Sequence, residues 1–518
     1  MTAVLESVAD NKAQWESTVE TTSSHFDETG EQKYKIILPN GEELKVIKDW
    51  TDKEEARVRL KLDFLILPIL AGCFFTLQLD RSNLGNALTS TLRKDLGLTS
   101  YQINVGNQLL YIGIVLCEIP SNYVLQKIGP TVWLSFQVLA WGLIALSQAF
   151  MKNYSQYLAL RILLGIGESG FIPGSLYTLS KFYKRNELAR RHIYFFLGNI
   201  LASCLGGFIA GGIIKDLTGK NGWPGWKWLF FVEGLATIGA GLILGAFLPM
   251  SPEKTSSLLF PKFDLFSDRE RLILRSRILL DDPVKALDIQ KKITLRDIGN
   301  AVSKWRIWLH FLISATAIGP IIPIGTYLPT IIKNMGYTQF QANAMSTISS
   351  WICAVFLVSS AFTQDKYKPR AAALLVFSGL QSVFGIVLRA ITTRHSNKLR
   401  FSMITVFSCF TSVCHLLNTS WVSVNATSPT ERAVFLAIVI MAANCGGVYG
   451  AQIFQDNDAP YYPRGFLAIL LLSIVLLLLV LLAFFQYKLA NKKLESKYGP
   501  VQKAESRDQE KPPERQHT

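Results

Sequence analysis

Arg161 and Glu168 lie in one apolar stretch, Arg161-Ile-Leu-Leu-Gly-Ile-Gly-Glu168-Ser-Gly-Phe-Ile-Pro-Gly. A charge at the centre of a membrane span costs roughly 2.5–3.5 kcal/mol on insertion scales, so a span that carries two has a use for them. Seven residues is about two helical turns, which puts both side chains on one face. An arginine there can hold a carboxylate through its fork of donors, and a glutamate there can carry a proton. The other reading is that each pairs with a polar group on a neighbouring helix and holds the bundle together.

Further polar groups sit in or beside apolar stretches. Asp80, Arg81, Asn83 and Asn86 end the first one. Either Arg81 and Asp80 sit among headgroups, or Arg81 stands at the outer mouth and attracts an anion. Asn83 and Asn86, one turn apart, can tie helices together. Glu118, before Ile-Pro-Ser-Asn, is placed at the inner end of the second span, and Glu233 inside the sixth. Burial suits either to carry a proton. A salt bridge from Glu118 that locks an inner gate is the alternative. Asn444, before Gly446-Gly447, reads as a pore-lining amide, and His310 and His415 as satisfied core residues. Pro173 predicts a kink past Glu168, and Pro320, Pro323 and Pro329 a bent helix.

A lipid-exposed helix needs ~20 mostly apolar residues. Such stretches fall at 62–80, 104–125, 131–150, 156–178, 192–214, 228–249, 306–332, 343–363, 371–391, 401–423, 433–454 and 466–488. Twelve helices in two sets of six predict an all-α membrane protein. The corresponding divisions are an N-terminal tail (1–60), a six-helix bundle (61–250), a central loop (251–304), a second six-helix bundle (305–490) and a C-terminal tail (491–518). Composition agrees: 49% of residues are hydrophobic and 18% charged, and mean hydropathy is +0.26. The net charge of +15 sits in tails and loops and not on a soluble core, which excludes a nucleic-acid binder. An even span count puts both ends on one side. Lys181, Lys184, Arg185, Arg190 and Arg191, in one short loop, make that side the cytosol. Arg389, Arg394, Lys398 and Arg400, in a loop facing out, are the counterweight.

The first 60 residues hold no apolar signal-peptide core. The seven cysteines all lie in apolar stretches, and even the pair Cys409 and Cys414 lacks metal-ligand spacing. No metal and no cofactor is expected. A Walker A lysine motif is absent, which excludes an ATP-driven pump. Asn153-Tyr-Ser is a glycosylation sequon too close to the bilayer for use. Gly170/Gly174, Gly207/Gly211, Gly241/Gly245 and Gly446/Gly450 are spaced for close helix packing. The run Asp268-Arg-Glu-Arg-Leu-Ile-Leu-Arg-Ser-Arg predicts a central-loop helix, read as a solvated linker in preference to a regulatory module.

Several stretches resemble the major facilitator superfamily, and within it the fungal anion:cation symporters of the allantoate permease family. They are Leu60-Lys-Leu-Asp-Phe-Leu-Ile-Leu-Pro68, Leu79-Asp-Arg-Ser-Asn-Leu-Gly-Asn-Ala87, Glu118-Ile-Pro-Ser-Asn, Arg161 through Glu168 to Pro173-Gly, Lys181-Phe-Tyr-Lys-Arg-Asn-Glu-Leu-Ala-Arg190, Gly225-Trp-Lys-Trp-Leu-Phe, and Trp421 through Asn425 to Thr430-Glu-Arg-Ala. The likeness covers about 55–490. It implies that Arg81 and Arg161 assist anion binding and that Glu168 couples protons; by their own positions Asn83 and Asn444 join the substrate-binding candidates and Glu233 the proton-coupling ones. Gln364-Asp365-Lys366-Tyr-Lys368 resembles a degenerate copy of the superfamily's inner-loop motif, which makes Asp365 and Lys366, with Glu118, gating residues. The matching first-half loop, Gln126-Lys127-Ile-Gly129-Pro, lacks that motif's aspartate, and Ala426-Thr-Ser-Pro429 departs where the family has glycine.

The resemblance implies a plasma-membrane importer of a small carboxylate (nicotinate, pantothenate, biotin, allantoate or an amino-acid-like compound) driven by protons and working as a monomer in the bilayer. The rivals are a proton antiporter that exports a toxic or secondary metabolite, and a nutrient sensor that does not transport.

Overall fold

A computed structural model describes residues 22–26, 32–37, 43–281, 295–367, 370–391, 396–426 and 429–498. Three short strands precede the first helix: β1 (Thr22–Phe26), β2 (Gln32–Ile37) and β3 (Glu43–Lys48), in one antiparallel sheet of order β1-β2-β3. A scan for 20-residue apolar stretches does not see them. The alternation Lys33-Tyr34-Lys35-Ile36 carries a period of two, the signal that marks a strand.

Helix α1 (Asp52–Ala87) opens on a capping box, in which the Thr51 hydroxyl accepts from the Glu54 amide and the Glu54 carboxylate accepts from the Thr51 amide. At 1.5 Å per residue its 36 residues reach about 54 Å, well beyond the hydrocarbon. The short α2 (Leu92–Asp95) leads to α3 (Ser100–Ile128), α4 (Pro130–Ser147), α5 (Tyr154–Glu168), α6 (Phe171–Phe182), α7 (Arg185–Leu217) and α8 (Gly225–Phe247). After α9 (Asp268–Asp281) and α10 (Leu295–Val302) come α11 (Trp305–Ile318), α12 (Ile321–Asn334), α13 (Gln339–Ser346) and α14 (Ile348–Tyr367). The last four are α15 (Arg370–Ile391), α16 (Asn397–Asn425), α17 (Pro429–Gly450) and α18 (Pro463–Tyr498).

Helix occupies all twelve predicted segments. Among the described residues nine helices are long and apolar enough to cross a membrane, the pair α11–α12 counting as one. The apolar part of α17 (Val434–Gly450) is shorter. Segment 156–178 is split into α5 and α6, and segment 343–363 into α13 and α14. Large apolar side chains such as Phe136, Leu143, Ile193, Leu478 and Phe485 stand exposed on the spans, as lipid-facing residues must.

The break in the fourth span is not at Pro173. It lies at Ser169–Gly170, where Gly170 has φ 80 and begins α6, and Pro173 falls harmlessly in the first turn of that helix. A side chain at 170 would collide with Ser121 on α3, whose Oγ lies 2.7 Å from the position of a Cβ. Gly170 is therefore a helix breaker more than a packing glycine. The Ser169 hydroxyl donates to the Ile114 carbonyl at 3.2 Å, and the Gln137 amide donates to the Ser169 carbonyl, which the break leaves outside the helix. Asn153, the sequon residue, caps α5 by accepting from the Gln156 amide at 3.0 Å. None of the seven cysteines is in a disulfide among the described residues, and five are buried.

One helix set packs α4 on α8, α1 on α7 and α8, and α3 on α5; the other packs α15 on α16 and α18, and α11 on α16, α17 and α18. The face on which α1 begins and α18 ends is the tail face, and the opposite one the far face. The two sets meet through α1 with α12, α3 with α17, and α7 with α13. In the far-face half this meeting is a hydrogen-bonded seam. Asn104 donates to the Phe454 carbonyl (2.7 Å), Tyr327 to Asn104 Oδ1 (2.7 Å), Asn107 to Thr326 (3.1 Å), Gln108 to the Val448 carbonyl (3.0 Å) and Lys333 to the Thr89 carbonyl (2.6 Å). At its rim Asp456 accepts from the Ser100 amide (2.7 Å), the Ser100 hydroxyl (2.6 Å) and Arg93 (2.6 Å).

The central helix α9 is not a solvated linker. Ile273, Leu274, Ile278 and Leu279 are buried, and Ile273 and Leu274 share one core with Leu62, Ile66 and Phe182. Arg277, fully buried, reaches Glu187 at 2.7 Å and Glu55 at 3.7 Å; Lys61 meets Glu270 at 2.7 Å. Each fully buried aliphatic side chain contributes roughly 1.5–3 kcal/mol. That gain, with the ion pairs, holds α9 on the first helix set instead of in water or along the bilayer.

Candidate functional site

Three helices of the first set bring charges together inside the membrane. The end of span one is the first correction. Asp80 and Arg81 do not sit at a headgroup boundary, because α1 runs on to Ala87. That places Asp80 about 10 Å along the axis from the helix end. Asp80 is 2% exposed. The helix continues because these polar groups find partners in protein, where lipid offers none.

Arg81 Nε donates to Glu168 Oε2 at 2.6 Å, joining α1 to the C-terminal end of α5. Glu168 Oε1 has no partner among the described residues. Arg161, two turns earlier on α5, is 0% exposed. Its guanidinium stands over the Tyr157 ring at 5.6 Å, within reach of the Tyr157 hydroxyl, and bonds no carboxylate among the described residues. Arg161 and Arg81 are both within electrostatic reach of Glu168 and of Tyr111 on α3. Two guanidinium groups, one of them already paired, thus converge beside one carboxylate and one phenol.

Glu118 joins this group from α3. It is within electrostatic reach of Arg81, and Asn444 Nδ2, on α17 of the other helix set, donates to its Oε2 at 3.4 Å. The lock expected there as a salt bridge is a carboxylate–amide contact, since no cation pairs with Glu118 among the described residues. Arg81, Arg161, Glu168, Glu118 and Asn444 are therefore one neighbourhood.

Asn83 and Glu233 belong to a second one, on the α1–α8 contact. Thr237, four residues after Glu233, donates to Asp80 Oδ2 at 3.1 Å. Asp365 and Lys366 fall near the end of α14, and their side chains lie outside the described residues. His310 and His415 stand apart in the second set: His310 bonds Asn418 (2.7 Å) and Tyr487 (3.0 Å), and His415 bonds Ser314 (3.2 Å). A cleft of about 610 Å³ on the far face, lined by Asp95, Trp223, Trp226 and Lys227 among others, is separate from the charged cluster.

Three neighbours do not stand out in the sequence. Tyr157 precedes Arg161 by one turn, Tyr111 precedes Glu118 by two, and Thr237 follows Glu233 by one. The spacing rule that puts i and i+4 on one face is the signal that finds them.

Two helix sets around a buried charged cluster define a multi-span membrane protein whose polar centre lies at the contact of its halves. The sequence profile of the Major Facilitator Superfamily matches residues 70–451, and the chain belongs to that family. It is 31% identical over 411 residues to the uncharacterized transporter C1039.04 of Schizosaccharomyces pombe, covering 79% of this chain and 78% of that one. It is 30% identical over 413 residues to the MFS-type transporter cnsO of Penicillium expansum, covering 78% of each. Among solved structures, a partially occluded inward-open xylose transporter XylE from E. coli superposes with a TM-score of 0.61 at 14% identity, covering 85% of this chain and 98% of that one. The protein is a multi-pass membrane transporter of small molecules and not an enzyme.

Proposed function

We propose that the protein imports a small organic anion together with protons. The observation that carries this is Arg161: a buried guanidinium with no carboxylate bonded to it among the described residues, beside an Arg81 already held by Glu168. An unpaired buried charge is strongly unfavourable unless a partner arrives. A carboxylate fits the planar donor fork. As it docks on Arg161 it competes with Glu168 for Arg81, and the displaced Glu168 takes the proton. Anion and proton enter as a pair of zero net charge, so loading adds no charge to the cluster, and a load without net charge crosses the low-dielectric centre at least expense. Asn444 would report occupancy to the second helix set through Glu118.

The tail face is taken as cytosolic. Lys184 pairs with Glu55, and Arg191 with Asp63 at 2.7 Å, on that face. Arg400, which counts the other way, is buried and donates to the Tyr461 carbonyl at 2.9 Å, so the protein itself holds it. The seam then closes the outside, and the form described is one turned toward the cytosol. The substrate class and the plasma-membrane location rest on the likeness to the allantoate permease family.

The test is uptake in a transport-deficient yeast strain, offered labelled allantoate, nicotinate, pantothenate, biotin and cysteine at acidic and neutral outside pH, with and without an uncoupler. Accumulation of one compound, greater at acidic pH and lost with uncoupler, is the expected result. Proton-driven loss of the compound from preloaded cells would reverse the direction of transport.

A further inference from the structure

The first helix set encloses more carboxyls than guanidinium groups. Arg81 and Arg161 face Asp80, Glu118, Glu168 and Glu233, all in its core. Arg81 is taken by Glu168, with Glu118 in reach. Arg161 lies in reach of Asp80. Glu233 is left over. It is 3% exposed, and its carboxylate has only the Asn83 amide within hydrogen-bonding reach among the described residues.

Its surroundings are built from oxygen. Asn83, 1% exposed, holds its amide within reach of Glu233, and its amide oxygen accepts no hydrogen bond among the described residues. Asp80 is three residues before Asn83 on α1, and Thr237 is four after Glu233 on α8, so each pair shares a helix face. The two helices pack on each other, and Thr237 Oγ bonds Asp80 at 3.1 Å and the Glu233 carbonyl at 3.0 Å. Asp80 and Glu233 are close enough to repel. Two carboxylates, an amide oxygen and a hydroxyl are thus gathered in a dry place where Arg161 reaches Asp80 only at a distance and no cation pairs with Glu233 among the described residues.

We propose that Asp80, Asn83, Glu233 and Thr237 form a binding site for a small monovalent metal cation, separate from the anion-binding arginines. The donor set is hard and all-oxygen, which suits an alkali ion and not a soft metal. Two carboxylates are few for calcium, which takes 6–8 oxygen ligands. No group of three or more His, Cys, Asp or Glu side chains placed to hold a metal exists among the described residues, so a highly charged ion finds too few anionic ligands. One positive charge between Asp80 and Glu233 removes their repulsion and satisfies the idle Asn83 oxygen. The ion also ties α1 to α8 directly beside Arg81, so its binding fixes the helix that carries the anion site. This gives Asn83 and Glu233 a role other than anion binding and proton coupling.

The experiment needs no substrate, so it stands or falls apart from the proposed import. The purified full-length protein is unfolded thermally at fixed pH in equal concentrations of sodium, potassium or choline chloride. Ligand binding to the folded state alone raises the midpoint in proportion to the logarithm of ion concentration. Sodium is expected to raise it by several degrees, saturably, and choline not at all. Glu233→Gln and Asp80→Asn are expected to lose the shift and Arg161→Gln to keep it. Thr237→Val, which removes one hydroxyl, is expected to raise several-fold the sodium needed for half the effect. Should a carboxyl variant fail to fold, sodium-22 binding to the wild type, with lithium as competitor, measures occupancy directly: saturable, lithium-sensitive binding is expected, and its absence overturns the proposal. A wild-type midpoint that does not distinguish sodium from choline between acidic and neutral pH overturns it as well, leaving protons as the only occupants. A sodium shift that survives both carboxyl variants overturns it too, by placing the ion elsewhere.

Discussion

Arg81 and Glu168 are 87 positions apart in the chain and 2.6 Å apart in the protein, joining the first span to the break in the fourth. An anion that binds Arg81 must loosen Glu168. Glu168→Gln keeps the shape and removes the charge. Concentrative uptake is expected to vanish while surface expression is unchanged, and counterflow of preloaded substrate is expected to persist. Measuring labelled uptake beside surface biotinylation checks this. Undiminished concentrative uptake would remove Glu168 from the coupling.

Arg161 predicts loss of transport with little loss of stability. It forms no tight ion pair among the described residues, and Glu168 and Asp80 lie only within electrostatic reach. Arg161→Met is therefore expected to abolish uptake while lowering the thermal midpoint of the substrate-free protein only slightly. Breaking a tight buried pair would cost about 3–5 kcal/mol. Transport assay and thermal unfolding of one preparation read both effects. A loss of that size would show that Arg161 holds the fold together.

Arg277 and Glu187 form a buried pair between α9 and the start of α7. Losing one partner strands the other, a loss of about 3–5 kcal/mol. Arg277→Met and Glu187→Gln are each expected to lower stability markedly, and the double variant by less than their sum. A double-mutant cycle on denaturation midpoints measures the coupling.

The rim of the seam depends on pH. Burial pushes the Asp456 carboxyl up, but the Ser100 hydroxyl and amide and the Arg93 guanidinium outweigh it and hold Asp456 below its ordinary value of 3.8. A depressed carboxyl lends its full support above the unfolded value and loses it as pH falls through the folded one. Closure of the far face is therefore expected to weaken only in strongly acidic medium. Asp456→Asn is expected to show the weakened state at every pH. Maleimide labelling of Asn107→Cys from outside, with the native cysteines replaced, follows the opening.

Gly207 decides how near the two helix sets come. A Cβ there would lie 2.1 Å from the Asn343 carbonyl oxygen. Gly207→Val is expected to wedge α7 from α13 and raise labelling at the same reporter cysteine, with little change in expression. Labelling equal to wild type would mean that the seam closes without this contact.

The sequence makes the twelve apolar segments legible because lipid demands length and composition together. It hides what lipid does not enforce. The first span reads as ending at Asp80 because a charge usually marks water, whereas here protein surrounds it. The break in the fourth span reads at Pro173, the residue that usually kinks a helix, because the positive φ of Gly170 is set against Ser121, a residue 49 positions away. Arg161 and Glu168 stand out by their charge. That Glu168 faces Arg81, and that Glu233 faces Asn83, depends on helix packing that no local pattern records. Arg277 reads as one basic residue in a charged run until α9 is seen against α1 and α6.

Three donors of the seam, Asn104, Gln108 and Lys333, are answered by backbone carbonyls of Phe454, Val448 and Thr89. A carbonyl survives every substitution at its own position. Genetic vulnerability is thus lopsided. Random mutation can silence the donors one by one, while the positions that receive them are free to drift in side-chain identity as long as the chain keeps its path. Relatives can therefore carry different residues at 448 and 454 and still shut the same door.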